Sequence, residues 1–176
     1  GHQLRNLEQV QDMDLIWGTE GLFGRLDYVT CWYSKAANYI KVNPKIHAAL
    51  VSTNSICQGE QASILWPELF SRGVSINFAH RTFQWSNEAS GNAAVHCIIV
   101  GFGVVSCDKK LLFDYDTPKS EPNVISVKNI NPYLVDGPNL VITSRSTPPL
   151  HVPPMTKGSQ ATDGGNLFLT TQEKEN

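Results

Sequence analysis

Residues 46–79, IHAALVSTNSICQGEQASILWPELFSRGVSINFA, decide how this chain is read. Residues 46–51 form a short, almost unbroken apolar run around one histidine. That pattern suits a strand of a parallel sheet covered on both faces. A polar strand end follows at Ser52, Thr53, Asn54 and Ser55. Residues 60–70 then read as a helix, closed by Arg72-Gly73, and residues 74–79 as a second strand. Strand, helix and strand in such close succession are the unit of an α/β fold.

Working outward, residues 26–40 carry Leu26, Val29, Tyr33, Ala36, Ala37 and Ile40 at spacings of three and four. This is an amphipathic helix, and Asn43-Pro44 ends it. Downstream, residues 95–102 are a third strand, reached through the polar loop 86–92. The order predicts the second half of a doubly wound, Rossmann-like α/β sheet closed by an antiparallel hairpin. Ligands of open α/β sheets gather at the carboxyl ends of strands, so residues 52–55 fall on the functional rim. Eight of the ten prolines lie beyond residue 117, where turns dominate. Residues 1–107 are therefore expected to form one domain, 108–121 a linker and 122–176 a Pro-rich segment of strands and loops.

At 176 residues the chain is long enough for one buried core. It has no run of ~18 apolar residues and no signal peptide, so a soluble cytoplasmic protein is expected. With 14 basic and 16 acidic residues its formal charge is −2, too acidic to hold nucleic acid by bulk electrostatics. Cys31, Cys57, Cys97 and Cys107 form no Cys-x-x-Cys pair, and reduced, mostly buried thiols without zinc are expected. Phosphate-loop, dinucleotide and nucleophile-elbow motifs do not occur. The chain carries no initiator Met and is read as a fragment.

Two segments remain unusual: residues 49–61, ALVSTNSICQGEQ, and residues 76–89, INFAHRTFQWSNEA, followed by the strand through Phe102. Both resemble the amino-methyltransferases of the MmeI-like type II restriction–modification enzymes. The likeness is continuous from about Leu26 to Phe102 and continues more loosely into the Pro-rich part, which resembles the start of that family's target-recognition region. It implies transfer of a methyl group from S-adenosylmethionine to N6 of an adenine extruded from duplex DNA. It also implies an Asn-Pro-Pro-aromatic catalytic motif and a glycine-rich cofactor motif, neither of which occurs among these residues. Asn131-Pro132-Tyr133 has one proline too few and lies after the last sheet strand. The fragment is thus expected to be inert alone, to bind the cofactor poorly and to contain no metal site.

The resemblance assigns candidate roles. Phe83 is placed to stack on the extruded base, since an enzyme that unstacks a base must replace the lost contact with a ring. Its polar neighbours Arg81, Thr82, Gln84 and Ser86 suit a rim loop better than an interior. Trp85 is the competing stacking ring. Trp32 falls where similar enzymes set an aromatic beside the cofactor adenine, although a helix-core tryptophan would have the same spacing. Asn54 and Ser55 either line the pocket or DNA, or cap the following helix, capping being favoured. Arg81 meets a phosphate or pairs with Glu88, and Lys109-Lys110 reads as a solvated turn. The strand at 46–51, lacking upstream neighbours, is expected to self-associate through its open edge. The competing readings are a non-catalytic DNA- or protein-binding module and a related RNA or protein methyltransferase.

Overall fold

The α1 helix, Leu7–Trp17, begins where Asn6 and Gln9 cap each other reciprocally: the Asn6 side chain accepts from Gln9 N at 2.8 Å and Asn6 N donates to Gln9 Oε1 at 3.1 Å. This helix escaped the sequence reading. A computed structural model describes residues 4–85 and 95–145, together with 147, 152 and 174. The expected loop at 86–92 and most of the Pro-rich stretch 146–176 lie outside the described residues. The chain divides into two units, Gly1–Thr143 and Ser144–Asn176, and every element named below belongs to the first.

The α2 helix spans Thr30–Val42 and α3 spans Gly59–Ser71, close to the expected helices. Strands β1 (Ala48–Thr53), β2 (Ser75–Trp85), β3 (Val95–Gly103), β4 (Lys110–Asp114) and β5 (Asn123–Val127) form one sheet in the order β1-β3-β2-β4-β5. The expected β2–β3 antiparallel hairpin is present, and the fold is mixed α/β. Ile98, Val100 and Phe102 of β3 alternate into a core shared with Tyr33, Ile40, Leu65, Trp66 and Leu69 of the helices. Ile99 and Gly101 face the other way. There the Phe78 ring lies across Gly101, and a Cβ on that glycine would meet the ring at 2.0 Å.

Three expectations are corrected. First, β1 is not a doubly covered parallel strand. It pairs antiparallel with β3, and its side chains alternate between half-buried and exposed until Ser52. An apolar run reports average burial, whereas pairing direction is set by which strand threads alongside. Second, the stretch read as a linker contains β4, which pairs parallel with β2 and antiparallel with β5. Third, Lys110 is buried rather than solvated, its ammonium donating to Ser75 Oγ at 2.8 Å and Asn129 Oδ1 at 3.1 Å. Burial lowers its pKa from the ordinary lysine value.

Candidate nucleic-acid interface

The rim is built by the far half of β2. That strand does not yield to a loop after Ala79 but continues to Trp85, so Phe83 sits on a strand rather than on the expected rim loop. The register with β3 slips between His80 and Phe83, placing Phe83 opposite Cys97. A bulge of this kind re-aims the side chains beyond it, and such irregularities collect beside functional sites. The polar residues at 81, 82 and 84 are half-buried here, not loop residues in solvent.

Parallel pairing with β4 sets His80 beside Phe113. Their rings stack at 4.1 Å with 5° between planes. His80 Nδ1 and the Tyr115 hydroxyl are 2.7 Å apart in a hydrogen bond. Burial lowers the His80 pKa, which favours the neutral ring. Burial, and secondarily the Glu121 carboxylate, raises that of Tyr115. Phe83 leans on Tyr115 with centroids 5.6 Å apart, and Trp85 on Phe83 at 6.2 Å. Trp85 is 47% exposed. Both candidate stacking rings therefore occupy one aromatic cluster. An open groove of about 380 Å³ runs along Phe83, Gln84, Tyr115, Pro118, Lys119 and Ser120.

Arg81 is committed. Its Nη1 lies 2.9 Å from Asp114 Oδ2, one register step beyond the His80–Phe113 pair. Glu88, the partner considered from sequence, lies outside the described residues. Both groups of the Arg81–Asp114 pair are partly exposed, so the pair contributes less than about 1 kcal/mol to stability and serves mainly to orient the guanidinium.

Asn54 and Ser55 do not cap α3, whose N-cap is Gln58 without a side-chain bond. A short 3₁₀ turn, Asn54–Cys57, intervenes and carries both side chains elsewhere. Asn54 Nδ2 donates to Thr82 Oγ1 at 3.3 Å, and Ser55 Oγ donates to Asp27 Oδ2 at 2.8 Å. Asn54 and Arg81 share a small pocket of about 100 Å³ with Cys57, Thr82 and Tyr133. The Asn131-Pro132-Tyr133 segment is a structural turn: Asn131 Oδ1 accepts from the amides of Tyr133 at 2.9 Å and Val135 at 3.3 Å. Its amide oxygen is thereby occupied.

Trp32 lies apart from this rim. It is 49% exposed on α2, so it is not a core residue, and it meets Tyr28 edge-on at 5.0 Å. Tyr28, Val29, Trp32, Leu50 and Val51 line an apolar groove of about 370 Å³. A hydrogen bond to Asp12, with smaller help from desolvation, raises the Tyr28 pKa to about 12.

His80, Phe113, Tyr115 and Lys119 belong to the rim but were not singled out in the sequence. The alternation of Phe113 and Tyr115 after Lys110 was a usable signal for a strand presenting rings on one side. Among the described residues no group of three or more His, Cys, Asp or Glu is placed to hold a metal ion. No helix there is long and apolar enough to cross a membrane. Cys31, Cys57 and Cys97 are buried free thiols, while Cys107 is exposed.

Comparison with known proteins gives a consistent result. Residues 1–114 match the family model described as MmeI, DNA-methyltransferase domain. The match ends inside the stretch 108–121 that was read as a boundary. DNA methyltransferase A of Bacillus subtilis (strain 168) is 43% identical over 175 residues, which cover 98% of this chain and 19% of that protein. The solved structure of the type IIL restriction–modification enzyme MmeI in complex with DNA matches with a TM-score of 0.93 and 48% identity. That match covers 99% of this chain and 23% of the solved one.

Proposed function

The chain belongs to the MmeI DNA-methyltransferase family, and from that premise we propose that it supplies the target-base side of a DNA adenine-N6 methyltransferase within a restriction–modification enzyme. The observation that carries the reading is the cluster at the end of β2. There, beyond a strand irregularity, Phe83 lines an open groove together with Tyr115, whose hydroxyl is hydrogen-bonded to His80, and the exposed Trp85 ring lies against Phe83. An adenine drawn out of a duplex loses its stacking, and an aromatic face restores part of that loss. Base–aromatic stacking is worth about 1–3 kcal/mol per base.

The Trp32 groove fits a flat heteroaromatic ring, being apolar with a half-exposed indole at its wall. Trp32 would hold the adenine of S-adenosylmethionine there, with Val29 and Leu50 excluding water from its faces. When bound, S-adenosylmethionine supplies a methyl group activated by a positively charged sulfur. Asn54 and Arg81 line the space between the strand ends and fix the approach of the base or its backbone. The 176 residues contain no Asn-Pro-Pro-aromatic sequence, so this chain alone transfers no methyl group in this proposal. Duplex DNA is the macromolecular partner, and the cytoplasm the compartment. The outer edge of β1 has no strand partner among the described residues. The isolated chain accordingly self-associates through it, and light scattering of a monomer at high concentration would count against that.

The test of the main reading uses the full-length protein, a labelled methyl donor and duplex DNA. Transfer to adenine N6 should fall by roughly 10- to 100-fold in Phe83→Ala, the loss of one base–ring stack. Unchanged transfer in that variant, with a loss in Trp85→Ala, would move the stacking role to Trp85. No transfer to any duplex would leave the binding-module reading.

A further inference from the structure

Phe83 and Lys119 are tied together by the main chain. The amide of Gln84, the residue after Phe83, donates to the carbonyl of Pro118, the residue before Lys119, at 2.7 Å. The turn that carries the lysine is closed on itself: Ser120 N donates to Thr117 O at 3.0 Å, and Thr117 N donates to Ser120 Oγ at 3.2 Å. The turn is therefore held at a fixed place beside the ring, and both residues line one groove of about 380 Å³.

The charges on this rim are unequally committed. Arg81 is engaged by Asp114. Lys119 is exposed and makes no ion pair or hydrogen bond with any described residue. In a chain of net charge −2, contact with a polyanion must rest on single, well-placed cations. A lysine ammonium binds phosphate as a point charge, and a nucleotide rotated out of a duplex brings its flanking phosphates with it.

We propose that Phe83 and Lys119 form one clamp for a single extruded nucleotide, the ring taking its base and the lysine the phosphodiester joined to its sugar. This rests on the base-stacking reading above and adds to it a phosphate site on the β4–β5 turn.

The test uses the full-length protein with cognate duplexes carrying an uncharged methylphosphonate at either phosphate flanking the target adenine. Losing one phosphate contact should lower the slope of log Kd against log salt by about 1 in Lys119→Gln. Lys119→Arg should restore the slope, and Phe83→Ala should leave it unchanged while abolishing the base-stacking signal of 2-aminopurine at the target position. At one of the two phosphates, methylphosphonate should weaken the wild type and make no further difference in Lys119→Gln. A wild-type slope in Lys119→Gln would overturn the clamp and leave base stacking standing. So would additive losses at both methylphosphonates, because the lysine would then hold a different phosphate. A Phe83→Ala variant with full methyl transfer and an intact 2-aminopurine signal would remove the underlying base-stacking reading instead.

Discussion

Among the described residues, two aromatic clusters stand in contrast, one closed and one left open. In the core, Tyr33 stacks on Phe102 at 5.6 Å and meets Trp66 edge-on at 6.1 Å, all three with essentially no exposed surface. Their polar handles are satisfied within the protein: Trp66 Nε1 donates to Ile56 O at 3.0 Å, and the Tyr33 hydroxyl lies 3.1 Å from Ser52 Oγ. On the rim, His80 stacks on Phe113, and Phe83 meets Tyr115 and Trp85 at tilted angles of 30° and 49°, but Phe83 stays half-buried and Trp85 is exposed. The core rings are fully enclosed, whereas the rim leaves ring surface accessible. The two clusters thus differ in accessibility.

The sharpest way to separate the two is to delete a ring from each. Trp66→Ala should destabilise the chain by about 3–5 kcal/mol, because it empties a fully buried volume. Urea denaturation of the 176-residue chain measures this, and a loss under 1 kcal/mol would break the contrast. Phe83→Ala should cost about 1–2 kcal/mol in the same titration, as a half-buried ring loses less burial. If the two substitutions destabilised equally, Phe83 would be a core residue after all.

A finer probe is Tyr115→Phe, which keeps the ring against Phe83 and removes only the hydrogen bond to His80. The expected cost is about 0.5–1.5 kcal/mol, again by urea titration. A larger loss would mean that the rim is packed as tightly as the core.

The smallest effect is a pH dependence. Burial lowers the folded-state pKa of His80 below its ordinary value of 6.5, so the unfolded chain binds more protons in the window beneath that value. Stability is then fully present above about pH 6.5 and is lost as pH falls through the folded pKa. His80→Phe should flatten this slope in melting temperatures taken across mildly acid pH. An unchanged slope would assign it to another group.

The sequence exposed much of the scaffold and less of the rim. Residues 26–40 announced themselves because their spacing of three and four follows from facing one shared core. Periodicity carries no information about partners, which is why β1 was read as parallel and doubly covered. Lys110 was misread for a related reason: its two hydrogen-bond acceptors lie 35 residues upstream and 19 downstream, and nothing local marks a lysine as buried. Phe83 was singled out through its resemblance to a family segment, but its support was not. Phe113 comes from β4 and Tyr115 directly follows it, and that strand is hidden inside a stretch whose prolines and charges read as a linker. Asn54 and Ser55 matched the chemistry of an N-cap, and the added 3₁₀ turn moved them off the helix.

The support for Phe83 also has a place in time. The His80–Tyr115 and Arg81–Asp114 contacts join residues 35 and 33 positions apart, and the Gln84–Pro118 bond closes a loop of similar length. Closing loops of that size costs chain entropy before any contact repays it. During synthesis β2 leaves the ribosome well before the residues that brace it. The rim is therefore completed only after β4 and the turn following it have emerged, later than the β2–β3 pairing. Pulsed hydrogen exchange during refolding should find the Gln84 amide protected later than those of β3, and simultaneous protection would refute that order.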